Sequence, residues 1–160
     1  MLFRSAGIKA NHIPLLRRQN PREKLLGIIS QRDYVTQVNQ LRALKPHMKS
    51  VLVVYRQQLE WLIAETDDMV SYLQSLNLNA QKHLMPHGTH IDNQLGTVKE
   101  PFDTIMLMPY TLNAKGLNEL ITYCNLKGIT LCANELDAVV LGAAIGFGGH
   151  ELTIGTNVGR

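Results

Sequence analysis

From residue 50 onward the chain repeats one unit: a short apolar, β-branched run, then a longer stretch whose apolar residues fall at helical spacing. The runs begin near residues 51, 78, 104 and 129, at intervals of 27, 26 and 25 residues. Val51-Leu52-Val53-Val54-Tyr55 is apolar at consecutive positions rather than alternate ones, as a strand covered on both faces requires. Leu59, Leu62, Ile63, Thr66, Met69, Val70, Leu73 and Leu76 then make one helical stripe. The same reading predicts a strand over 78–85 with a helix after Thr89, and a strand over 104–108 with a helix through Leu117, Leu120, Ile121 and Cys124. It also predicts a strand over 129–133, a short helix at Val139, and a fifth strand over 143–147. Strands separated by helices pair in parallel, and right-handed crossovers cover both faces. The predicted class is α/β: a doubly wound parallel sheet, Rossmann-like or flavodoxin-like.

Local punctuation agrees. Thr89 with Asp92 reads as a capping pair, Asn77 follows the first helix, and Gly128 follows the third, where a left-handed residue suits a helix exit. Upstream, Val35, Val38, Leu41 and Leu44 predict a helix ended by Pro46, and 24–29 reads as a strand. Residues 1–25 are expected to be a poorly defined basic segment or the remnant of a missing first lobe, and 26–160 one α/β lobe. With no core element at the start and a helix expected to begin at 155–160, the chain reads as a piece of something larger.

A chain of 160 residues that is 45% apolar can bury one sizeable core. No apolar run approaches the roughly 18 residues needed to cross a bilayer, and the start lacks the apolar region of a secretory signal. Residues 1–50 hold ten Lys or Arg against two acids, whereas 51–160 hold six against eleven. The basic residues of the head are scattered without interleaved aromatics, which favours a solvated surface over nucleic-acid binding. Cys124 and Cys132 sit in apolar settings and read as core residues.

In an open parallel sheet, ligands bind outside the carboxyl ends of the strands, where strand order reverses. For the order 2-1-3-4-5 the first and third loops face each other there, which selects Tyr55, Arg56, Gln57, Tyr110 and Thr111, with Asn134, Glu135 and Asp137 after the fourth strand. The familiar nucleotide and hydrolase devices are missing: no GxGxxG follows the first strand, and neither GxxxxGK[ST] nor GxSxG occurs. Gly146-Phe147-Gly148-Gly149 fits either an anion site before a helix or a tight turn. His83, His87 and His90 invite a metal, yet Pro86 and Gly88 break any helix that would align them. We therefore expect no metal and no cofactor. Met85, Met106 and Met108 read as core filling.

The layout from about residue 26 to 155 resembles the substrate-binding components of ABC transporters, in the family of periplasmic components that includes tryptophan- and tyrosine-binding members. The anchors are Gly27-Ile28-Ile29-Ser30, Gln40-Leu41 to Leu44-Lys45-Pro46, and Val51-Leu52-Val53-Val54-Tyr55. Further anchors are Asp103 through Thr111, Thr130 through Val139 with Gly142-Ala143, and Gly148-Gly149-His150-Glu151 with Gly155. The resemblance implies a type 1 periplasmic-binding fold of two lobes closing on a small solute, with this chain holding chiefly the second. It further implies a membrane permease as partner and a periplasmic or extracytoplasmic location. The departures lie in the loops, where Arg56-Gln57 and Trp61 replace an Asn-Pro and a later Asn, and Tyr110-Thr111-Leu112 replaces Thr-Asp-Asn. Arg56 suits a carboxylate, Glu135 or Asp137 an ammonium, and Tyr110 or Trp61 a flat ring.

The leading expectation is thus a solute-binding component of an ABC-type importer, taking a small polar or amino-acid-like ligand without catalysis. The alternatives are a sensory or regulatory module of the same fold and a small flavodoxin-like enzyme, the latter lacking a nucleophile with an adjacent base. No nucleic-acid partner is expected.

Overall fold

The computed structural model describes residues 34–57, 60–86, 88, 90–99, 101–134, 138–148 and 151–154. Helix α1 (Tyr34–Leu44) leads into β1 (Ser50–Tyr55), followed by α2 (Glu60–Ser75), β2 (Asn79–Leu84), α3 (Ile91–Leu95) and β3 (Thr104–Leu107). Next come α4 (Ala114–Lys127), β4 (Thr130–Ala133), α5 (Ala138–Leu141), β5 (Ile145–Gly148) and β6 (Glu151–Ile154). The sheet order is β2-β1-β3-β4-β5-β6, parallel through β5. The expected 2-1-3-4-5 arrangement is therefore present.

Because successive strand residues point to opposite faces, the consecutive apolar residues of β1 serve two cores. Val51 and Val53 join Met106 and Cys132 beneath α1 and α2, where Val38, Leu41, Leu62, Met69 and Leu73 cover them. Leu52 and Val54 join Ile105, Leu107 and Leu131 beneath α3, α4 and α5. Right-handed crossovers require this division: the chain moves one way from β1 to β2 and the opposite way thereafter, so the helices change face.

The structure departs from the expected punctuation at two points. A sixth strand, β6, pairs antiparallel with β5, Gly148 opposite Glu151. The Gly-rich segment thus lies within and after β5 and introduces a strand, not a helix, which removes the helix-terminus anion reading. At α3 the N-cap is His90 with no side-chain cap hydrogen bond, whereas Thr89 lies outside the described residues. The 24–29 strand, the 1–25 segment and the helix start at 155–160 also lie outside them. Asn77 and Gly128 behave as expected, both left-handed with φ of 61° and 69°. Met85, Met106 and Met108 are core residues.

At the amino-terminal edge of the sheet a polar clamp joins the strand starts. Lys45, one residue past α1, donates to Asp103 O at 2.6 Å, Thr130 Oγ1 at 2.9 Å and Thr104 Oγ1 at 3.1 Å. Asp103 Oδ2 accepts from the backbone amides of Lys49 at 2.8 Å and Ser50 at 3.1 Å. Its other oxygen accepts from Thr104 Oγ1 at 2.7 Å and faces Lys45 Nζ at 3.5 Å.

Burial pushes the Asp103 carboxyl up, but the hydrogen bonds from Thr104, Lys49 and Ser50 and the charge of Lys45 outweigh it and hold it below its ordinary value. A folded value below the unfolded one means that the ionised group stabilises the fold above the unfolded value. That stabilisation is lost as pH falls through the folded value. Asp103→Asn is expected to cost about 1–2 kcal/mol near neutral pH and to flatten the loss of stability below about pH 4. Urea titrations across that range check it, and parallel acid limbs for the two proteins would contradict it.

A Cβ at Gly128 would meet nothing within 4 Å, so Gly128→Ala isolates the conformational cost of a left-handed helix exit. The expected loss is about 1 kcal/mol, read as a lower urea midpoint at unchanged slope.

Candidate functional site

Strand order reverses between β1 and β3, the two strands that begin crossovers toward opposite edges. Val54 is in register with Leu107, and Met108 N donates to Val54 O at 2.9 Å. The loops after β1 and β3 therefore leave the sheet side by side. This brings residues 55–57 next to residues 109–111.

Within that crevice the predicted residues divide by burial. Arg56 is half-buried and Gln57 exposed. Arg56 Nε is buried and has no hydrogen-bond partner among the described residues. Leaving such a donor unpaired is costly. Tyr110 is 54% exposed and left-handed, with φ of 59°. That conformation is an outlier for a bulky residue and costs on the order of 1–3 kcal/mol. Its neighbours hold it: Thr111 Oγ1 donates to Met108 O at 2.7 Å, and Asn113 Oδ1 caps α4 by accepting from Gly116 N at 2.9 Å.

Four other predicted residues are engaged elsewhere. Trp61 is 4% exposed in the first turn of α2 and belongs to the core under α1 and α2, so its ring packs against protein rather than facing a ligand. Tyr55 packs against the same core, with Lys82 Nζ 5.9 Å from its ring centroid. Lys82 in turn pairs with Asp67. Thr111 is fully buried in its turn, and Asn134 is buried with Nδ2 donating to Leu107 O at 3.3 Å. Buried polar side chains must find partners, and at the ends of β3 and β4 the nearest are backbone carbonyls. Glu135 and Asp137 lie outside the described residues.

Strand pairing adds one residue that lies outside the strand-end loops. His83 on β2 is in register with Val54, and continuing the alternation of β1 puts Arg56 on the face of Val54. His83 Nε2 is buried without a hydrogen-bond partner among the described residues. Burial lowers the pKa of the ring, which favours neutral imidazole at neutral pH. The signal was the β2 period of two read against the β1 register, not the histidine spacing. Among the described residues no group of three His, Cys, Asp or Glu could hold a metal ion.

Both cysteines are poor nucleophiles, since burial pushes each thiol up to about 12. A groove of about 860 Å³ lies between α3 and α4, lined by helix-surface residues such as Asp92, Lys115 and Glu119. At its end His90 Nδ1 approaches Glu119 Oε1 at 3.7 Å. The groove contains no strand-end residue. Among the described residues no helix is long and apolar enough to cross a membrane.

No protein-family model matches the sequence, and no curated protein is significantly similar to it. Solved structures do share its fold. A conserved domain protein from Vibrio cholerae O1 biovar El Tor strain N16961 superposes with a TM-score of 0.63 at 16% identity, covering 74% of this chain and 41% of that one. An ABC domain in complex with L-Trp from Streptococcus pneumonia superposes with a TM-score of 0.61 at 15% identity, covering 69% and 38%. The chain thus spans about two fifths of the length of these neighbours. At such identities the likeness is one of fold alone: this chain carries the α/β fold that these structures share over the matched region.

Proposed function

We propose that this chain is a solute-binding component of an ABC-type importer that holds a small polar or amino-acid-like ligand in the crevice between the β1 and β3 loops, without chemistry. The observation that carries this reading is the pairing, at the point of strand reversal, of a buried unpartnered Arg56 Nε with an exposed, backbone-strained Tyr110. Strain of this kind concentrates at sites where the chain must present a side chain. In this reading Arg56 receives the ligand carboxylate by charge-assisted hydrogen bonds, His83 borders it, Gln57 lends an amide, and Tyr110 covers an apolar or aromatic side chain. Glu135 and Asp137 are the acids assigned to an ammonium. The L-Trp complex of one structural neighbour supports an amino-acid-like ligand. A membrane permease as partner and an extracytoplasmic location follow from the same proposal.

Ligand contacts from a second lobe would add affinity on closure, so this chain is screened at millimolar concentration. The expected result is a saturable rise in melting temperature with one or a few amino acids, worth about 2.7 kcal/mol at a hundredfold excess over Kd. Arg56→Ala should weaken binding by about tenfold or more, because charge-assisted hydrogen bonds contribute about 1.5–3 kcal/mol. No shift with any amino acid or polar metabolite would refute the reading.

Tyr110→Gly separates strain from function. Relieving the left-handed tyrosine should stabilise the unliganded chain by about 1 kcal/mol, while loss of the ring weakens the ligand. Equilibrium unfolding and calorimetry on one protein sample check both signs. A variant that loses stability and keeps full affinity would place the strain outside the site.

A further inference from the structure

The crossover from β2 to β3 has to pass over β1, yet its helix α3 has five residues, against sixteen in α2 and fourteen in α4. At about 1.5 Å per residue α3 is roughly 8 Å long, whereas β1 at about 3.3 Å per residue runs roughly 20 Å. Ile91 and Leu95 cover what α3 can reach. The rest of that face is left to the irregular segment after α3, which packs Val98 and Phe102 only half-buried against the core. Between this segment and the end of α4 lies a cavity of about 400 Å³.

Its floor is Leu52 of β1 and Ile105 of β3, both buried, and its walls include Phe102, Tyr123 and Ile129. The described cations that line it are Lys99, after α3, and Lys127, in the last turn of α4. Both are exposed, and neither has an ion-pair partner among the described residues. The volume falls within the range of about 300–1,000 Å³ common for small-molecule sites. An apolar floor rewards a hydrocarbon body, and a polar body would be desolvated there without partners. Two ammonium groups at one cavity, with no ion-pair partner among the described residues, favour an anion and disfavour a cation.

We infer that this cavity, on the face of the sheet below α3 and apart from the strand-end crevice, binds a small amphipathic anion, its apolar body on Leu52 and Ile105 and its carboxylate between Lys99 and Lys127. Arg56 and Tyr110 do not line this cavity, so the inference stands or falls separately from the solute-binding proposal.

The test uses the full chain with decanoate, decanol and decylamine as probes, followed by calorimetry and by methyl NMR. Decanoate is expected to bind saturably, shifting the methyl signals of Leu52, Val98, Ile105 and Ile129, while decylamine does not saturate. The surface double variant Lys99→Glu with Lys127→Glu should weaken decanoate by about tenfold or more. Val98→Trp, which fills the space, should abolish binding, and Arg56→Ala should leave it unchanged. Equal binding of all three probes, or indifference to the lysine reversal, would overturn the anion assignment. Methyl shifts confined to the strand-end loops, loss of binding with Arg56→Ala, or no saturable decanoate binding at millimolar concentration would overturn the site.

Discussion

The architecture depends on one half-buried ion pair at the amino-terminal edge of the sheet. Lys45 and Asp103 between them hold the backbone preceding β1, the start of β3 and the threonine that opens β4. Neither group would be stable there alone, since each needs the other's charge and the surrounding hydroxyls and amides to replace water. Parallel strands of four to six residues offer little redundancy in register. Fixing their starts therefore fixes where they end, and with that the positions of Arg56, Tyr110 and Asn134 at the opposite edge.

At that opposite edge the chain divides its polar side chains between holding the loops and facing solvent. Thr111 and Asn134 donate to the carbonyls of Met108 and Leu107, which makes the β3 and β4 exits rigid. Rigidity is what allows Tyr110 to persist at a positive φ, because a mobile loop would relax to a common conformation. The turns after β3 and β4 thus rest on side-chain hydrogen bonds to the strand ends. Where the supports are thin, as beneath the single short turn of α3, the same sheet leaves a cavity instead.

How much was legible in the sequence follows from where each element's partners lie. β1 and β3 were legible because both their faces are buried, so their apolar runs are continuous. α2 and α4 were legible because one stripe of each meets the sheet. β6 was not: a four-residue antiparallel edge strand is defined by pairing with β5, and nothing in Glu151-Leu152-Thr153-Ile154 demands that partner. For the proposed site, 2-1-3-4-5 order selects the loops but not the contacts that their residues make. Trp61 carries the same polar-tipped ring whether it faces a ligand or the core, and only the packing of α2 against β1 buries it. His83 sat in plain view as one of three clustered histidines, and its relevance came from a register that no local pattern specifies.

The sequence by itself determined the class of fold, the alternation of its elements and the edge of the sheet at which a ligand would sit, because periodicity and crossover handedness are local and chiral constraints. The tertiary structure alone decided which polar side chains turn inward, that Tyr110 is held left-handed after β3, and that a short α3 leaves a lysine-rimmed cavity. Those outcomes depend on which groups from distant segments meet, and on the need of every buried donor to find an acceptor.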